Sequence, residues 1–573
     1  MAGWQFWIDR GGTFTDIVAQ RPDGGIVTHK LLSDNPSRYA DAALAGIRAF
    51  VDDVAQIDAI RMGTTVATNA LLERTGDRTA LVITRGFGDA LRIAYQNRPR
   101  IFDRHIVLPE PLYERVIEVD ERIDASGVVL RPPDLDGLAA ALRSAHDEGI
   151  GAVAVVCMHS HMYPSHEQAI GSLARTIGFG QVSLSSEVSP LLKLVPRGDT
   201  TVVDAYLSPV LRRYIDGVAD RTRGVRLMFM QSNGGLTQAG HFRGKDAVLS
   251  GPAGGIVGMV RMSQAAGYGK AIGFDMGGTS TDVSLFAGEF ERVFNAQVAG
   301  VRLRAPMLGI HTVAAGGGSV LHFDGSRYRV GPDSAGADPG PACYRGGGPL
   351  TVTDANVMLG RIQPSHFPRV FGRDGDQPLD ADVVRRRFAD LAREIGDGRS
   401  PEQVAEGFLQ VAVANMANAI KHISVQQGHD VGEYVLTTFG GAGAQHACAV
   451  ADSLGIRTVL VPPMAGVLSA LGIGLADTTA MREQSVEQPL STVSRLTEVA
   501  DALEATTRAE LADQGVARAR VTRRAHLRYD GTDTAVPVEL AGADAMIAGP
   551  STFWPGRSAA RSYSVASRHA PSA

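Results

Sequence analysis

The chain has 573 residues, 44% of them hydrophobic and 20% charged, with a formal net charge of −5. That length exceeds what one hydrophobic core supports, so several domains are expected, and an acidic balance without a long basic run excludes nucleic acid or an acidic membrane surface as the main partner. Three cysteines, Cys157, Cys343 and Cys448, lie far apart without metal-ligand spacing, and no secretory leader or bilayer-length apolar run occurs, so the chain reads as cytoplasmic and free of a disulfide framework.

The first elements are two β-prone runs, WQFWI and IVAQ, on either side of DRGGTFTD at residues 9–16, followed by the extended run IVTHKLL. This reads as a strand, a tight turn and two further strands, a three-stranded meander. The arrangement recurs as KAIGF, DMGGTSTD at residues 275–282, VSLF and ERVFNAQV, with six of eight turn positions identical. Adjacent glycines lack Cβ atoms and let successive N–H groups aim at one point. Gly11, Gly12, Gly277 and Gly278 can therefore cradle phosphate, with hydroxyl donors from Thr13, Thr15, Thr279 and Thr281. A carboxylate just before the glycines, Asp9 or Asp275, suits a hydrated Mg²⁺. Asp16 and Asp282, at the far end of each turn, complete the candidate catalytic set. Two cradles imply one nucleotide between two related lobes.

Between the meanders, residues 39–54 read as a helix. MGTT then enters a second helix whose start holds Thr64, Thr65 and Asn69, either as caps or as an anion or substrate contact, and ALVIT is a buried-type strand. In AYQNRPRIFD, Arg98 and Arg100 either offer a bidentate fork to a carboxylate-bearing substrate or stand solvated on a loop. From Leu135 the pattern alternates as DGLAAALRSAHDEG, AVAVVCMHS, SHEQAIGSLARTIG and QVSLSSEV, an inserted α/β unit with parallel strands. His159 and His161 alternate onto one face near Cys157 and His166, yet no second pair completes a metal shell, and a satisfied histidine cluster is the simpler reading. AVLSGPAGGIVGMV, with Gly251, Gly254, Gly255 and Gly258, permits close approach of backbone to ligand or of helix to sheet.

Beyond the second meander, IHTVAAGGGS places three glycines behind His311, a candidate substrate contact. The irregular run VGPDSAGADPGPACYRGGGP, with Asp333 and Asp338, reads as an active-site loop or a solvated one. From Pro401 the spacing of Val404, Phe408, Val411, Ile420 and Ile423 predicts an amphipathic helix. YVLTTF, GGAGAQ and ACAVADSLG then form a strand, turn and helix in which Gly440, Gly441, Ala442 and Gly443 let a purine and ribose lie on the backbone. The order phosphate hairpin, phosphate hairpin, adenosine turn resembles the actin, sugar-kinase and heat-shock chaperone superfamily. The expected fold is thus α/β, an actin-like ATPase duplication of two lobes with an ATP cleft and an inserted α/β unit. No GxxxxGK[ST] loop and no strand-flanked GxGxxG occurs, so P-loop and Rossmann readings lose their support.

IDRGGTFTD, MGTTVATNALLER, TRGFGD, MQSNGGL, SGPAGG, FDMGGTSTD, GPDSAGADPGPACY and FGGAGAQHACAVA together resemble the hydantoinase A and 5-oxoprolinase family over about residues 4–545. Arg10, RPRIFD and LYERVIEVDERI make the chain most similar to the N-terminal half of ATP-dependent 5-oxoprolinases. The resemblance implies opening of the 5-oxo-L-proline lactam to L-glutamate while ATP becomes ADP and phosphate, this chain supplying the ATP-binding, carbonyl-phosphorylating half. It further implies ATP and Mg²⁺, a small cyclic amide substrate, a hydantoinase B-like second half or subunit, and an oligomer. An N-methylhydantoinase or ketone-carboxylase subunit, or an inactive nucleotide-binding subunit, are the alternatives. The expected divisions are an N-terminal lobe with the first hairpin (1–195), a hydantoinase A lobe with the second hairpin and adenosine turn (196–490), and a truncated C-terminal module (491–548). Residues 549–573, rich in Ser, Arg, Ala and Pro, read as a disordered or frameshifted tail.

Overall fold

A computed structural model describes residues 3–569 except 13, 36–37, 99, 373–374, 490–492, 530–531, 533–534 and 541–557. The chain divides into two compact units, one of Met1–Ala253, Val293–Met307 and Ala476–Ala573, the other of Gly254–Arg292 and Leu308–Leu475.

In the first unit, β1 (Trp4–Arg10) and β2 (Phe14–Gln20) pair antiparallel with Asp9 opposite Asp16, and β3 (Ile26–Leu32) completes the meander. Phe6, Ile8, Ile17 and Ala19 enter one core with Leu44 and Ile47 of α1 (Ala42–Arg48). That helix starts on Asp41, whose carboxylate accepts the Leu44 N–H at 2.9 Å, and it is the crossover that a parallel neighbour needs. β4 (Ile57–Thr64) accordingly runs parallel to β1 and sets Gly63 opposite Asp9. α2 (Val66–Leu72) follows directly.

The inserted unit is larger than its alternating pattern suggests, because ALVIT joins it. β5 (Thr79–Thr84), β6 (Arg115–Val119), β7 (Ala152–Val156) and β8 (Gln181–Leu184) form an all-parallel sheet in the order β8-β7-β5-β6. Every residue of β5 and β7 is buried, as expected for parallel strands covered on both faces. The expected boundary after residue 195 falls within the first turn of α3 (Leu194–Arg221), which buries Val202, Val203, Leu207 and Leu211 in the first core. A helix with that much apolar surface belongs to the unit that covers it. β9 (Arg226–Met230) then runs parallel to β4, and β10 (Leu236–Gln238) turns back antiparallel.

α4 (Ser250–Ala265) leads to the second hairpin, β11 (Ala271–Met276) and β12 (Thr281–Phe286), with Asp275 opposite Asp282. ERVFNAQV is not its third strand. It forms β13 (Arg292–Val298) and pairs with β14 (Val301–Leu308) as a separate ribbon, while β15 (His311–Val313) lies beside β12. Leu303, Ala305 and Met307 of β14 need apolar cover and find it in the first core, which draws Val293–Met307 into the first unit. After the hairpin of β16 (Ser319–Phe323) and β17 (Tyr328–Ser334), α5 (Pro401–Ile423) begins on a capping box of Ser400 and Gln403 and buries Val404, Phe408, Ile420 and Ile423. β18 (Val435–Phe439) runs parallel to β11, then come α6 (Ala447–Leu454) and β19 (Val459–Leu460), parallel to β18. The order β15-β12-β11-β18-β19 matches β3-β2-β1-β4-β9 strand for strand. In each, two antiparallel strands lie on one side of the central strand and two parallel strands on the other. This is the expected actin-like duplication.

β20 (Thr478–Pro489), β21 (Arg520–Tyr529), β22 (Val536–Glu539) and β23 (Ser558–His569) extend the first sheet to ten strands, in the order β22-β21-β23-β20-β10-β9-β4-β1-β2-β3. Residues 558–569, expected in an irregular tail, thus occupy a strand antiparallel to β20 and β21. Pairing on both sides satisfies backbone N–H and C=O groups whatever the composition. Residues 549–557 and 570–573 of that tail lie outside the described residues. Among the described residues no helix is long and apolar enough to cross a membrane.

Candidate active site

The two hairpin turns close in the same way, Gly11 N–H donating to the Phe14 carbonyl at 3.1 Å and Gly277 N–H to the Ser280 carbonyl at 3.0 Å. A Cβ on Gly11 would stand 2.9 Å from the Phe14 oxygen, so the turn itself demands that glycine. The second glycine is different. A Cβ on Gly12 or Gly278 would meet nothing within 4 Å, and neither residue has a positive φ. Protein packing and backbone angle do not account for glycine at these two positions, and both leave their backbone open. Thr279 is exposed beside Gly278, and Thr13 lies outside the described residues.

Thr15 and Thr281 are not free phosphate donors. Both are buried. Thr15 Oγ1 lies 3.0 Å from Ser33 Oγ, which donates to the Gly11 carbonyl at 2.6 Å, and Thr281 Oγ1 donates to the Ala315 carbonyl. Side chains alternate along a strand, so these two face inward and brace the turn from within.

Asp9 Oδ1 is enclosed and has no hydrogen-bond partner. Burial, and after it the charge of Asp16 opposite, push the Asp9 carboxyl up to about 7, against a lowering pull from Lys30. Asp16 is held by Lys30, a cation the sequence pattern did not single out, and burial raises its carboxyl too. In the second copy Thr312 Oγ1 donates to Asp282 at 2.6 Å, and burial raises that carboxyl. Like charges directly opposite across a strand pair are destabilising, so a hard cation would relieve each pair. Among the described residues no group of three or more metal-ligating side chains assembles.

The start of α4 reaches the same place. A Cβ on Gly251 would lie 3.3 Å from Asp9 Oδ1, and Ser250 Oγ donates to the Thr64 carbonyl at 2.9 Å. The first turn of that helix thus stands beside Asp9, although Pro252 has no N–H and Ala253 N–H donates to the Leu249 carbonyl at 3.4 Å. Thr64 and Thr65 commit their hydroxyls locally, Thr64 Oγ1 accepting from Val66 N–H at 3.2 Å and Thr65 Oγ1 donating to the Arg10 carbonyl at 3.1 Å. Asn69 is half-buried on α2, Arg98 is exposed on a loop, and Arg100 pairs with Asp103 at 3.8 Å. The Arg10 guanidinium lies 5.3 Å from the Tyr214 ring centre and 3.6 Å from Asp34. His166 bonds Glu121 at 2.6 Å and the buried Arg197 donates to the Cys157 carbonyl at 2.8 Å, so these groups form an internal network.

In the second unit Gly440 has φ +77°, and a Cβ there would stand 2.3 Å from Asp275 Oδ1 and 2.6 Å from the Met276 carbonyl oxygen. Ala442 N–H donates to that carbonyl at 2.9 Å, and a Cβ on Gly443 would lie 2.5 Å from Thr438 Oγ1. Gly441 is exposed with nothing within 4 Å of a Cβ, so it is the open position of a turn seated on the end of β11. The triple glycine packs on the phosphate turn, Gly317 N–H donating to the Gly277 carbonyl at 3.1 Å and Gly318 N–H to the Gly278 carbonyl at 2.6 Å. His311 stacks on His422 with ring centres 4.6 Å apart, and burial followed by that neighbour lowers its pKa. The irregular run is anchored at Ala342 and Cys343. Buried Asp354 accepts the N–H groups of Ala342, Cys343 and Thr351 at 3.0, 2.8 and 2.8 Å, while Asp333 and Asp338 are exposed. The capping spacing of TVTD was the available signal for Asp354.

The family described as hydantoinase/oxoprolinase N-terminal region matches residues 5–178, and the one described as hydantoinase/oxoprolinase matches residues 197–482. The chain is 45% identical to 5-oxoprolinase 1 of Arabidopsis thaliana, an alignment covering 93% of this chain and 46% of that protein. It is 33% identical to the caprolactamase subunit alpha of Pseudomonas jessenii, covering 83% of this chain and 70% of the relative. The crystal structure of the ATP-dependent caprolactamase from Pseudomonas jessenii matches with a TM-score of 0.87 at 28% identity, covering 98% of this chain and 87% of that one. The chain spans about half the length of the 5-oxoprolinases it matches.

Proposed function

The chain belongs to the hydantoinase/oxoprolinase family, and on that premise we propose that it uses ATP to phosphorylate the carbonyl oxygen of a small cyclic amide, 5-oxo-L-proline first among candidates. The observation that supports this most is the pair of turns whose Gly12 and Gly278 face open space beside carboxylates. A relaxed lactam resists hydrolysis because its nitrogen lone pair is delocalised into the carbonyl. Attack of the carbonyl oxygen on the γ-phosphorus forms an O–P bond as the bond to the ADP oxygen breaks. Water then adds to the activated carbon, the C–N bond breaks with the nitrogen taking a proton, and a second water hydrolyses the acyl phosphate to carboxylate and phosphate. We assign the steps after phosphorylation to a hydantoinase B-like second half or subunit.

Phosphoryl transfer asks mainly for positioning and charge neutralisation. In this reading the N–H groups of each glycine turn offer donors to phosphate oxygens, and the 440–443 turn offers open backbone to a purine and ribose. Asp9 fits Mg²⁺, with an enclosed oxygen lacking a protein partner and a carboxyl held near 7, and Asp275 occupies the equivalent position in the repeat. When bound, Mg²⁺ neutralises phosphate charge.

The coverage of the caprolactamase subunit favours a second reading, the same chemistry on a larger lactam ring. ADP release with 5-oxo-L-proline, ε-caprolactam, a hydantoin and acetone, with and without a hydantoinase B-like partner, separates the cases. Stimulation by 5-oxo-L-proline is expected. Stimulation by caprolactam alone moves the assignment to the second reading, stimulation by a hydantoin or acetone alone overturns both, and failure to bind nucleotide at all leaves an inactive subunit. Gly12→Ala and Gly278→Ala are each expected to hold the melting temperature within about 2 °C, since the new methyl touches nothing. Both should weaken binding of a fluorescent ATP analogue about tenfold, and unchanged binding removes that turn from the site.

A further inference from the structure

In the second unit the phosphate turn is gripped from two sides. On one side Ala442 N–H donates to the Met276 carbonyl at 2.9 Å, and on the other Gly317 N–H donates to the Gly277 carbonyl at 3.1 Å. The two grips come from distant segments, yet a Cβ on Gly317 would stand 3.9 Å from that of Ala442. A path of side chains joins them. The Gly317 carbonyl accepts from both the N–H and the Oγ1 of Thr353, each at 2.8 Å, at the start of the helix Val352–Met358. Asn356 is three residues on, and so on the same face of that helix. Its Nδ2 lies 3.2 Å from His446 Nε2, and His446 N–H donates to the Gly443 carbonyl at 3.1 Å. The contacts thus close a ring that starts and ends on the phosphate turn.

The chemistry of the link between Asn356 and His446 fixes its direction. Asn356 Nδ2 also donates to the Val352 carbonyl at 3.0 Å, and a carbonyl can only accept, so the amide nitrogen faces that way and His446 Nε2 is an acceptor. The ring is then neutral with its proton on Nδ1, in keeping with burial and the charge of Arg361, which push its pKa down to about 4. Both side chains are enclosed, and His446 Nδ1 and Asn356 Oδ1 have no protein partner. A buried polar pair that leaves two atoms unmatched adds less stability than an apolar pair of the same shape, so what this pair contributes is placement. We propose that His446 and Asn356 are positioning residues, which hold the 316–318 segment and the 440–443 turn in register and so fix the phosphate turn relative to the adenosine contact. The inference rests on the nucleotide reading of the two turns.

Calorimetric titration of the full chain with ATP and Mg²⁺, and separately with adenosine, tests it. In this reading adenosine engages the 440–443 turn without the phosphate turn, so the ratio of the two affinities reports on the phosphate turn. His446→Phe and Asn356→Leu are each expected to lower that ratio about tenfold, while His446→Gln, whose side-chain carbonyl can replace the Nε2 acceptor, holds it within about threefold. The double variant His446→Phe/Asn356→Leu removes both polar groups, so its melting temperature should be no lower than that of either single variant, with the ratio still reduced. A pair whose role is stability alone would instead recover the ratio together with the melting temperature. That recovery, a ratio unchanged in both single variants, or a loss in His446→Gln as large as in His446→Phe overturns the proposal. Any of these outcomes with a parent that binds ATP sinks this inference alone, whereas a parent that binds neither ligand overturns the nucleotide reading with it.

Discussion

Asp9→Asn is expected to lose ATP-dependent turnover by roughly a hundred- to thousandfold while making the nucleotide-free protein more stable above pH 7. Both effects come from one buried carboxylate. In the unfolded chain Asp9 titrates at its ordinary value of 3.8, and in the folded protein at about 7, mainly because it is enclosed. Below pH 3.8 both states keep the proton and the residue costs nothing. Between 3.8 and 7 the unfolded state releases the proton and the folded state holds it, so stability falls as pH rises. Above 7 the loss is complete and amounts to at most about 4 kcal/mol. Asparagine has no proton to hold and removes that slope. Urea unfolding at pH 5 and pH 8 should therefore show the variant's advantage growing with pH, and an equal gap at both values refutes burial as the cause. On the proposed role of Asp9 a cation competes with the proton there, so Mg²⁺-dependent nucleotide affinity of the parent should weaken as pH falls below 7.

Short-range pattern was enough for the parts of this protein that depend on neighbours in sequence. The paired DxGGTxTD turns, the strands on either side of them, the amphipathic helix from Pro401 and the GGAGAQ turn all appear where their residues place them. What was not legible depends on surfaces distant in the chain. ERVFNAQV alternates as well as any strand beside β12 would, yet Leu303 and Met307 of its partner strand seek a core built from other residues. ALVIT reads as a buried strand wherever it goes, and only register places it between β6 and β7. The roles of hydroxyls were hidden for a related reason. Thr13 and Thr15 are chemically equal in the motif, but alternation turns Thr15 to Ser33, and nothing local announces Ser33 as its partner. Gly251 is legible only as a small residue until the fold brings it to Asp9 Oδ1.

Adjacent glycines of the 440–443 turn are expected to respond in opposite ways to alanine. At Gly440 the φ of +77° disfavours any other residue by about 1–2 kcal/mol, before the new methyl meets anything. That methyl would then stand 2.3 Å from Asp275 Oδ1 and 2.6 Å from the Met276 carbonyl oxygen. Relief comes either from rotating Asp275 or from lifting the turn off β11, which breaks the bond from Ala442 N–H to Met276. Gly440→Ala should thus cost about 2–4 kcal/mol of stability and lower kcat about a hundredfold even at saturating ATP. Gly441 has an ordinary φ and open space, so Gly441→Ala should keep its melting temperature and kcat, with only KM for ATP raised, by about three- to tenfold. Asp275→Ala is the reference for the first case. If the loss in Gly440→Ala arises from a displaced Asp275, combining the two changes should reduce kcat no further than Asp275→Ala alone, because residues acting as a unit are not additive. Full additivity would place Gly440 in the adenosine contact alone and separate the turn from the carboxylate.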